Sequence, residues 1–446
     1  MNSRREFLNK LALAGAFSRL GMINASAQST GTSDYRALVC VFLFGGNDAN
    51  NTIVPLGARY QDYANVRGNL AIPAANLLAV NTPSGAAYGL HPALAPIHPL
   101  WGQGNLAAVA NVGMLVSPTT RQQYQSRTVP VPGNLFSHSD QTSQWQSGNT
   151  GGGPSTGWGG RIADRMAIYG VNGTASFPMN ASVNGGALLL NGQSTRPATV
   201  IPGQTSTGLE GTNPENPAMV ARDNALQEIL SFDAGFALVQ AASSSLKEGI
   251  RLAQLINSVT QQNPLTTQFP QSGLGNQLAQ VARLIQVRGQ LGLRRQIFFC
   301  GMGGFDTHSN QLGDHQNLLT QVGQALAAFA NSMVELGTTG QVTLFTESEF
   351  SRTFQPSQGA GTDHAWGGHH FVMGGGVRGG NVYGTFPELR LQSPDDSGNR
   401  GNWIPTLSLD QYGATLASWF GVPAGDLPLI FTNLNNFPVK NIGFMG

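Results

Sequence analysis

The stretch Gln296–Thr346 reads QIFFCGMGGFDTHSNQLGDHQNLLTQVGQALAAFANSMVELGTTGQVTLFT. It opens on a short apolar run, 296–302, closed by two glycines. Across 316–336, Val322, Leu326, Phe329, Met333 and Leu336 fall on one helical stripe. Gly337 stops that helix, and Val342–Phe345 begins a second apolar run. Strand, helix and strand in this order predict a βαβ crossover, which requires parallel strands. Short apolar runs recur at 37–44, 107–116 and 371–374. Strands apolar on both sides must be covered on both sides. The fold class is therefore read as α/β, with a central, mostly parallel sheet between helices. Leu274, Leu278, Val281 and Ile285 mark a helix ahead of 296–302. Ser408 and Gln411 make a capping box that opens a last helix through Trp419. Residues 120–215 are rich in Gly, Ser, Thr, Pro and Asn, and read as loops and short strands above the sheet. They begin a loop-rich and helical insertion, 120–295, within one domain spanning 34–446.

In a parallel sheet the carboxyl ends of the strands share one edge, where open α/β folds place ligands. Here the strand ends run into acidic residues and histidines. Gly45-Gly46-Asn47-Asp48 follows the first, and Gly303-Gly304-Phe305-Asp306-Thr307-His308 follows another. Glu347-Ser348-Glu349-Phe350-Ser351-Arg352 follows a third, with Gly361-Thr362-Asp363-His364 shortly after. Five of the eight histidines, 308, 315, 364, 369 and 370, fall in this region. Carboxylate oxygens and imidazole nitrogens are ligands for divalent ions. Asp48, Asp306, His308, Asp363 and His364 are thus candidate ligands for a divalent metal such as Zn, Mn or Ca. Each motif alone also reads as a turn, a cap or an Asp–His hydrogen bond; their convergence on one edge favours metal. Two clusters could hold two ions, clamping the attacking and leaving oxygens of a displacement. His91 and His98 lie at a Pro-punctuated helix start and read as hydrogen-bonded structural residues.

Several motifs together carry a resemblance. Gly45–Pro55, Ser137-His138-Ser139-Asp140, Gly303–His308, Ser348–Thr353 and Gly361–Gly367 resemble the family called domain of unknown function 1501. Leu90–Leu94 and the tail from Asp410 to Gly421 fit it too, so nearly all of the chain after its N-terminal segment is covered. That family is similar to the alkaline phosphatase and sulfatase superfamily. The resemblance implies a central sheet between helices and a two-metal hydrolytic centre. Asp48 matches the first aspartate of that pattern, and Asp363-His364 matches the adjacent pair of one metal. Asp306 and His308 match the pair of the other, at closer spacing, with His315 as the longer-spaced alternative. A further histidine near the C-terminus has no counterpart, because none follows His370. The candidate nucleophile is Ser137, ahead of Ser139 and Thr52, supported by His138 and Asp140. Ser137 also reads as a helix cap. Glu349 joins the catalytic candidates, and Arg352 would hold an anionic oxygen. The expected function is an exported, metal-dependent hydrolase of a small anionic ester, phosphate or sulfate. The alternative is a non-catalytic exported binding or assembly protein with a degenerate site.

Composition narrows the partners. With 24 Lys and Arg against 23 Asp and Glu, the formal charge is +1, which gives no reason to expect nucleic acid. Two cysteines exclude a four-thiolate iron–sulfur cluster, and no C-x-x-C-H haem motif is present. At the N-terminus, Arg4-Arg5 precedes Phe7-Leu8 and a weakly apolar run from Leu11 to Ile23. Ala25-Ser26-Ala27 then offers a cleavage site. Residues 1–27 resemble a twin-arginine signal. Arg19 within a run well short of ~20 residues argues against a membrane span. The expected partner is the twin-arginine export machinery, the expected location periplasmic or otherwise exported, with no membrane anchor after processing. Replacing Arg4 and Arg5 together by lysine should trap precursor in the cytoplasm, while wild-type mature protein begins near Gln28. Undiminished exported mature protein from the double-lysine variant, followed by fractionation and N-terminal sequencing, contradicts the reading.

Overall fold

Strand β1, Arg36–Leu43, sends alternate side chains into two separate cores. Ala37, Val39, Val41 and Leu43 enter one cluster, and Leu38, Cys40 and Phe42 enter the other. The computed structural model describes residues 34–446 apart from 152, 154, 176, 203–215, 233, 234 and 263. The twin-arginine segment lies outside the described residues. Around β1 the sheet contains β2 (Leu106–Gly113), β3 (Asn180–Ser182), β4 (Ala198–Thr199) and β5 (Arg295–Met302). It continues with β6 (Val342–Glu347), β7 (Gly368–Met373), β8 (Val382–Tyr383) and β9 (Leu407–Ser408). The order is β8-β2-β7-β6-β1-β5-β3-β4, with β9 also pairing β2. Only β7 runs antiparallel to its neighbours; the other pairings of this sheet are parallel.

Five helices matter for the site and its support: α1 (His138–Ser147), α2 (Trp158–Ile168), α3 (Gly273–Gln286), α4 (Gln311–Glu335) and α5 (Leu409–Phe420). Leu278 and Val281 of α3 and Val322, Leu326 and Phe329 of α4 fill the first core. Trp158 and Ile162 of α2 and Tyr412 and Leu416 of α5 fill the second. The sheet is thus covered on both faces, as its apolar strands require. The crossover expected over 296–346 is present, with β1 inserted between its two strands and α4 starting five residues earlier than its stripe suggested. The capping box at Ser408 and Gln411 is formed. Cys40 and Cys300 sit on neighbouring strands, but Cys300 is in register with Val41. Their side chains enter opposite cores, and both are free.

The region 120–215 departs from the loop reading, because it contains α1 and α2. The glycines of α2 signal close packing rather than a loop. A Cβ on Gly160 would lie 2.0 Å from the Asn191 carbonyl oxygen, so only glycine lets this helix approach that segment. Among the described residues no helix is long and apolar enough to cross a membrane.

At the end of β6, Glu347 is fully buried beneath the site. Its Oε2 accepts from the Cys40 thiol at 3.6 Å, and its Oε1 has no hydrogen-bond partner among the described residues. Burial pushes its carboxyl up to about 8, against a small opposing pull from the Cys40 hydrogen bond. The folded chain therefore keeps a proton that the unfolded chain releases near 4.5. Stability should fall as pH rises between those two values and level off above. Glu347→Gln should gain stability over wild type across that window, by up to about 1.4 kcal/mol per pH unit. Urea unfolding at both ends of the window checks this; a gap that does not change with pH contradicts it.

Candidate metal centre

The loops at the carboxyl edge approach closely because Arg352 sits among them. Its side chain is 0% exposed, while that of Asp306 is 45% exposed. Arg352 Nε donates to the Gly46 carbonyl at 3.0 Å and Nη1 to the Thr362 carbonyl at 3.2 Å. Nη2 donates to the Gly45 carbonyl and to Asp306 Oδ1. Four of its five donors are spent, so Arg352 has no face left for a substrate anion, contrary to the role expected of it. It instead ties together the segments after β1, after β5 and before β7. Gly45 makes that contact possible: at φ +115°, a Cβ there would lie 2.4 Å from the Asp306 amide nitrogen.

Three imidazoles converge on the Asp306 carboxylate. Oδ1 lies 3.4 Å from His138 Nε2, 3.0 Å from His308 Nε2 and 3.3 Å from His364 Nε2. The His308 and His364 Nε2 atoms are 3.3 Å apart. His138, Asp306 and His364 each offer a ligand atom within 4.8 Å of the other two. Among the described residues this is the one group of three or more such side chains placed so that it could hold a metal ion.

Their outer contacts aim the ligand atoms inward. His138 Nδ1–H donates to Glu349 Oε1 at 2.8 Å, and the same oxygen accepts from the Gly45 amide at 2.7 Å. His364 Nδ1–H donates to the Phe136 carbonyl at 2.7 Å. Each bond fixes the tautomer that leaves a lone pair on Nε2. The Nε2 of His138 is buried with no hydrogen-bond partner among the described residues, which leaves its lone pair available to a cation. Burial pushes the His364 imidazole down, helped by Arg352 and His138 and opposed by the Phe136 carbonyl and Asp306. Burial pushes the Asp306 carboxyl up, but Arg352 outweighs it, with His308 and His138, and holds it at about 2. A neutral imidazole and an ionised carboxylate are the forms a metal needs.

The remaining candidates fall outside this group. Asp48 is fully buried: it pairs with Arg67, accepts from Gln311 Nε2, and caps residues Ala49–Thr52 by accepting from the Asn50 amide at 3.1 Å. Both its oxygens are engaged, so it leaves the expected ligand set. Asp363 stands one step away. One oxygen lies 3.4 Å from His308 Nδ1 and the other accepts from Arg400, a residue that no motif pointed to. Burial pushes the Asp363 carboxyl up, but Arg400 and His308 together outweigh it and hold it below the ordinary carboxylate value. His315 is buried, with Nε2 2.9 Å from Asn47 Oδ1. Ser137 caps α1 and donates to Asp140 Oδ2 at 2.5 Å. Among the described residues neither Ser137 nor Asp140 makes a hydrogen bond or ion pair to the Asp306 group. Of the serine motif, the structure brings only His138 to the cluster. His91 Nδ1 accepts from the Ala93 amide at 3.1 Å, and His98 Nε2 lies 3.0 Å from the Ala79 carbonyl, both structural contacts.

Arg352→Lys should cost ~2–3 kcal/mol, because lysine cannot serve three carbonyls and a carboxylate from one planar group. Asp306→Asn should cost less, since Arg352 keeps its three carbonyls. Denaturant midpoints of the two variants check the order; equal losses contradict it.

The family profile described as "Protein of unknown function (DUF1501)" matches residues 35–400. The chain is similar to a sulfatase structure from Pseudoalteromonas sp., with 8% identity, 97% of this chain and 73% of that one covered, and a TM-score of 0.33. It is similar to a protein of glycosaminoglycan metabolism from Bacteroides thetaiotaomicron, with 11% identity, 89% and 76% covered, and a TM-score of 0.35. It is similar to the lipoteichoic acid synthase LtaP from Listeria monocytogenes, with 8% identity, 91% and 78% covered, and a TM-score of 0.33. No curated protein sequence matches it. With the profile spanning most of its length, the chain belongs to the DUF1501 family.

Proposed function

We propose that this protein is a hydrolase of phosphate or sulfate esters built around one divalent ion held by His138, Asp306 and His364, acting after export by the twin-arginine route. The observation that carries the reading is the meeting of those three ligand atoms at the sheet edge, within 4.8 Å of one another. Two of the separations, 3.4 and 3.3 Å, match the edge of a coordination tetrahedron with bonds of about 2.0–2.1 Å, roughly 3.3 Å. Three protein ligands leave a fourth position for water or the ester, and the half-exposed His308 Nε2, 3.0 Å from Asp306 Oδ1 and 3.3 Å from His364 Nε2, stands beside it. Zn²⁺ or Mn²⁺ suits two imidazoles and a carboxylate better than Ca²⁺, which takes oxygen.

When bound, such an ion polarises the ester oxygens and acidifies water. The chain's own residues prepare for this. Glu349 and the Phe136 carbonyl hold the two imidazoles in the required tautomer. Arg352 keeps Asp306 ionised and fixed in place. The Ser137 hydroxyl is spent on Asp140, so the reading takes water rather than a serine as the attacking group. Water adds to phosphorus or sulfur, the ester bond breaks, and the alcohol leaves with a proton.

Chelator should lower the melting temperature, and Zn²⁺ or Mn²⁺ should restore it. Binding to the folded state alone gives about 2.7 kcal/mol at a hundredfold excess over Kd. Turnover of p-nitrophenyl phosphate or sulfate should disappear in His364→Ala and Asp306→Asn. A wild type that carries no metal on elemental analysis, with a melting curve indifferent to chelator and added ion, contradicts the proposal.

A further inference from the structure

Beside the metal ligands the surface opens into a cleft of about 380 Å³. It is lined by Asp306 and His308 of the segment after β5 and by Asp314, Asn317 and Leu318 of α4. Its charged lining is acidic, since no Lys or Arg is among the residues that border it. The two arginines of the site are engaged elsewhere: Arg352 is buried among carbonyls, and Arg400 is paired with Asp363. Asp314 is exposed in the first turn of α4. Its Oδ1 accepts from Asn310 Nδ2 at 3.1 Å, and among the described residues its Oδ2 makes no hydrogen bond or ion pair. Asn317 follows three residues later on the same helical face. Thr307, 4% exposed, also lines the cleft, and its Oγ1 has no hydrogen-bond partner among the described residues.

We infer that this cleft receives the alcohol portion of the ester, and that Asp314 selects an ammonium group on it. The substrate class is an amino-alcohol ester with a single phosphate or sulfate. This inference rests on the hydrolase reading above. The anionic head belongs at the ion, and the rest of the molecule must then lie against Asp314 and Asn317. A second phosphate or sulfate there would face the Asp314 carboxylate with no Lys or Arg in the lining to meet it, whereas an ammonium finds an open carboxylate oxygen. Hydroxyl groups on the same scaffold have the Asn317 amide as a partner.

The test is competition against turnover of a p-nitrophenyl ester by the metal-loaded enzyme. The competitors are 2-aminoethyl and 2-hydroxyethyl phosphate, or the matching sulfates, whichever ester is turned over. They differ only in the ammonium. An exposed ion pair contributes up to ~1 kcal/mol, so the amino compound should inhibit about fivefold more tightly. That preference should shrink toward one in Asp314→Asn, persist in Asp314→Glu, and weaken at high salt. Equal inhibition by the two compounds in wild type, or a preference unchanged in Asp314→Asn, overturns the assignment of the cleft while leaving the hydrolase reading intact. Failure of the metal-loaded wild type to turn over any such ester overturns both.

Discussion

The buried guanidinium of Arg352 is the contact on which the rest of the site depends. It gathers the carbonyls of Gly45, Gly46 and Thr362 and the carboxylate of Asp306, groups that come from three distant parts of the chain. Each buried carbonyl left without a donor would cost about 1–3 kcal/mol, so the loops close around the arginine rather than splay apart. Once they close, Asp306 is fixed at the mouth of the sheet and held ionised. The imidazoles of His138, His308 and His364 then have one carboxylate oxygen to face.

A second buried arginine makes the contrast clear. Arg67 does for the loop after β1 what Arg352 does for the loop after β5. It pairs with Asp48 and donates to the carbonyls of Thr353 and Phe354, each at 3.1 Å. The outcome differs because Asp48 is closed in completely, whereas Asp306 keeps nearly half of its side chain exposed. One aspartate is structural and the other is presented to solvent and to any ion. Two strand ends with similar sequence thus acquire different chemistry from where an arginine on another segment arrives.

That contrast also separates what was legible in the sequence from what was not. The alternating and continuous apolar runs determine which strands exist, and strand direction determines the edge at which Asp306, His308 and His364 appear. Even β7, which runs against the others, delivers Asp363 and His364 to that edge, because its first residue rather than its last lies there. Local patterns cannot reveal partners made across hundreds of residues. Glu349 lies 211 residues from His138, and even the nearer partners, Arg67 for Asp48 at 19 residues and Arg400 for Asp363 at 37, fall outside any motif's spacing. His138 stood beside the more familiar Ser137, and only folding separates the residue that joins the Asp306 cluster from the cap. The glycines of α2 misled for a different reason: glycine marks close approach as well as a turn, and composition does not distinguish them.

The account stands or falls on whether the Arg352-pinned loops hold an ion where His138, Asp306 and His364 meet. A crystal of the mature protein grown with Zn²⁺ or Mn²⁺, with anomalous data collected at the metal edge, reads this directly. The account predicts one peak about 2.0–2.2 Å from His138 Nε2, an Asp306 carboxylate oxygen and His364 Nε2, with Arg352 still on its three carbonyls. A peak at Asp48, no peak at the sheet edge, or an Arg352 side chain turned out to solvent would contradict it.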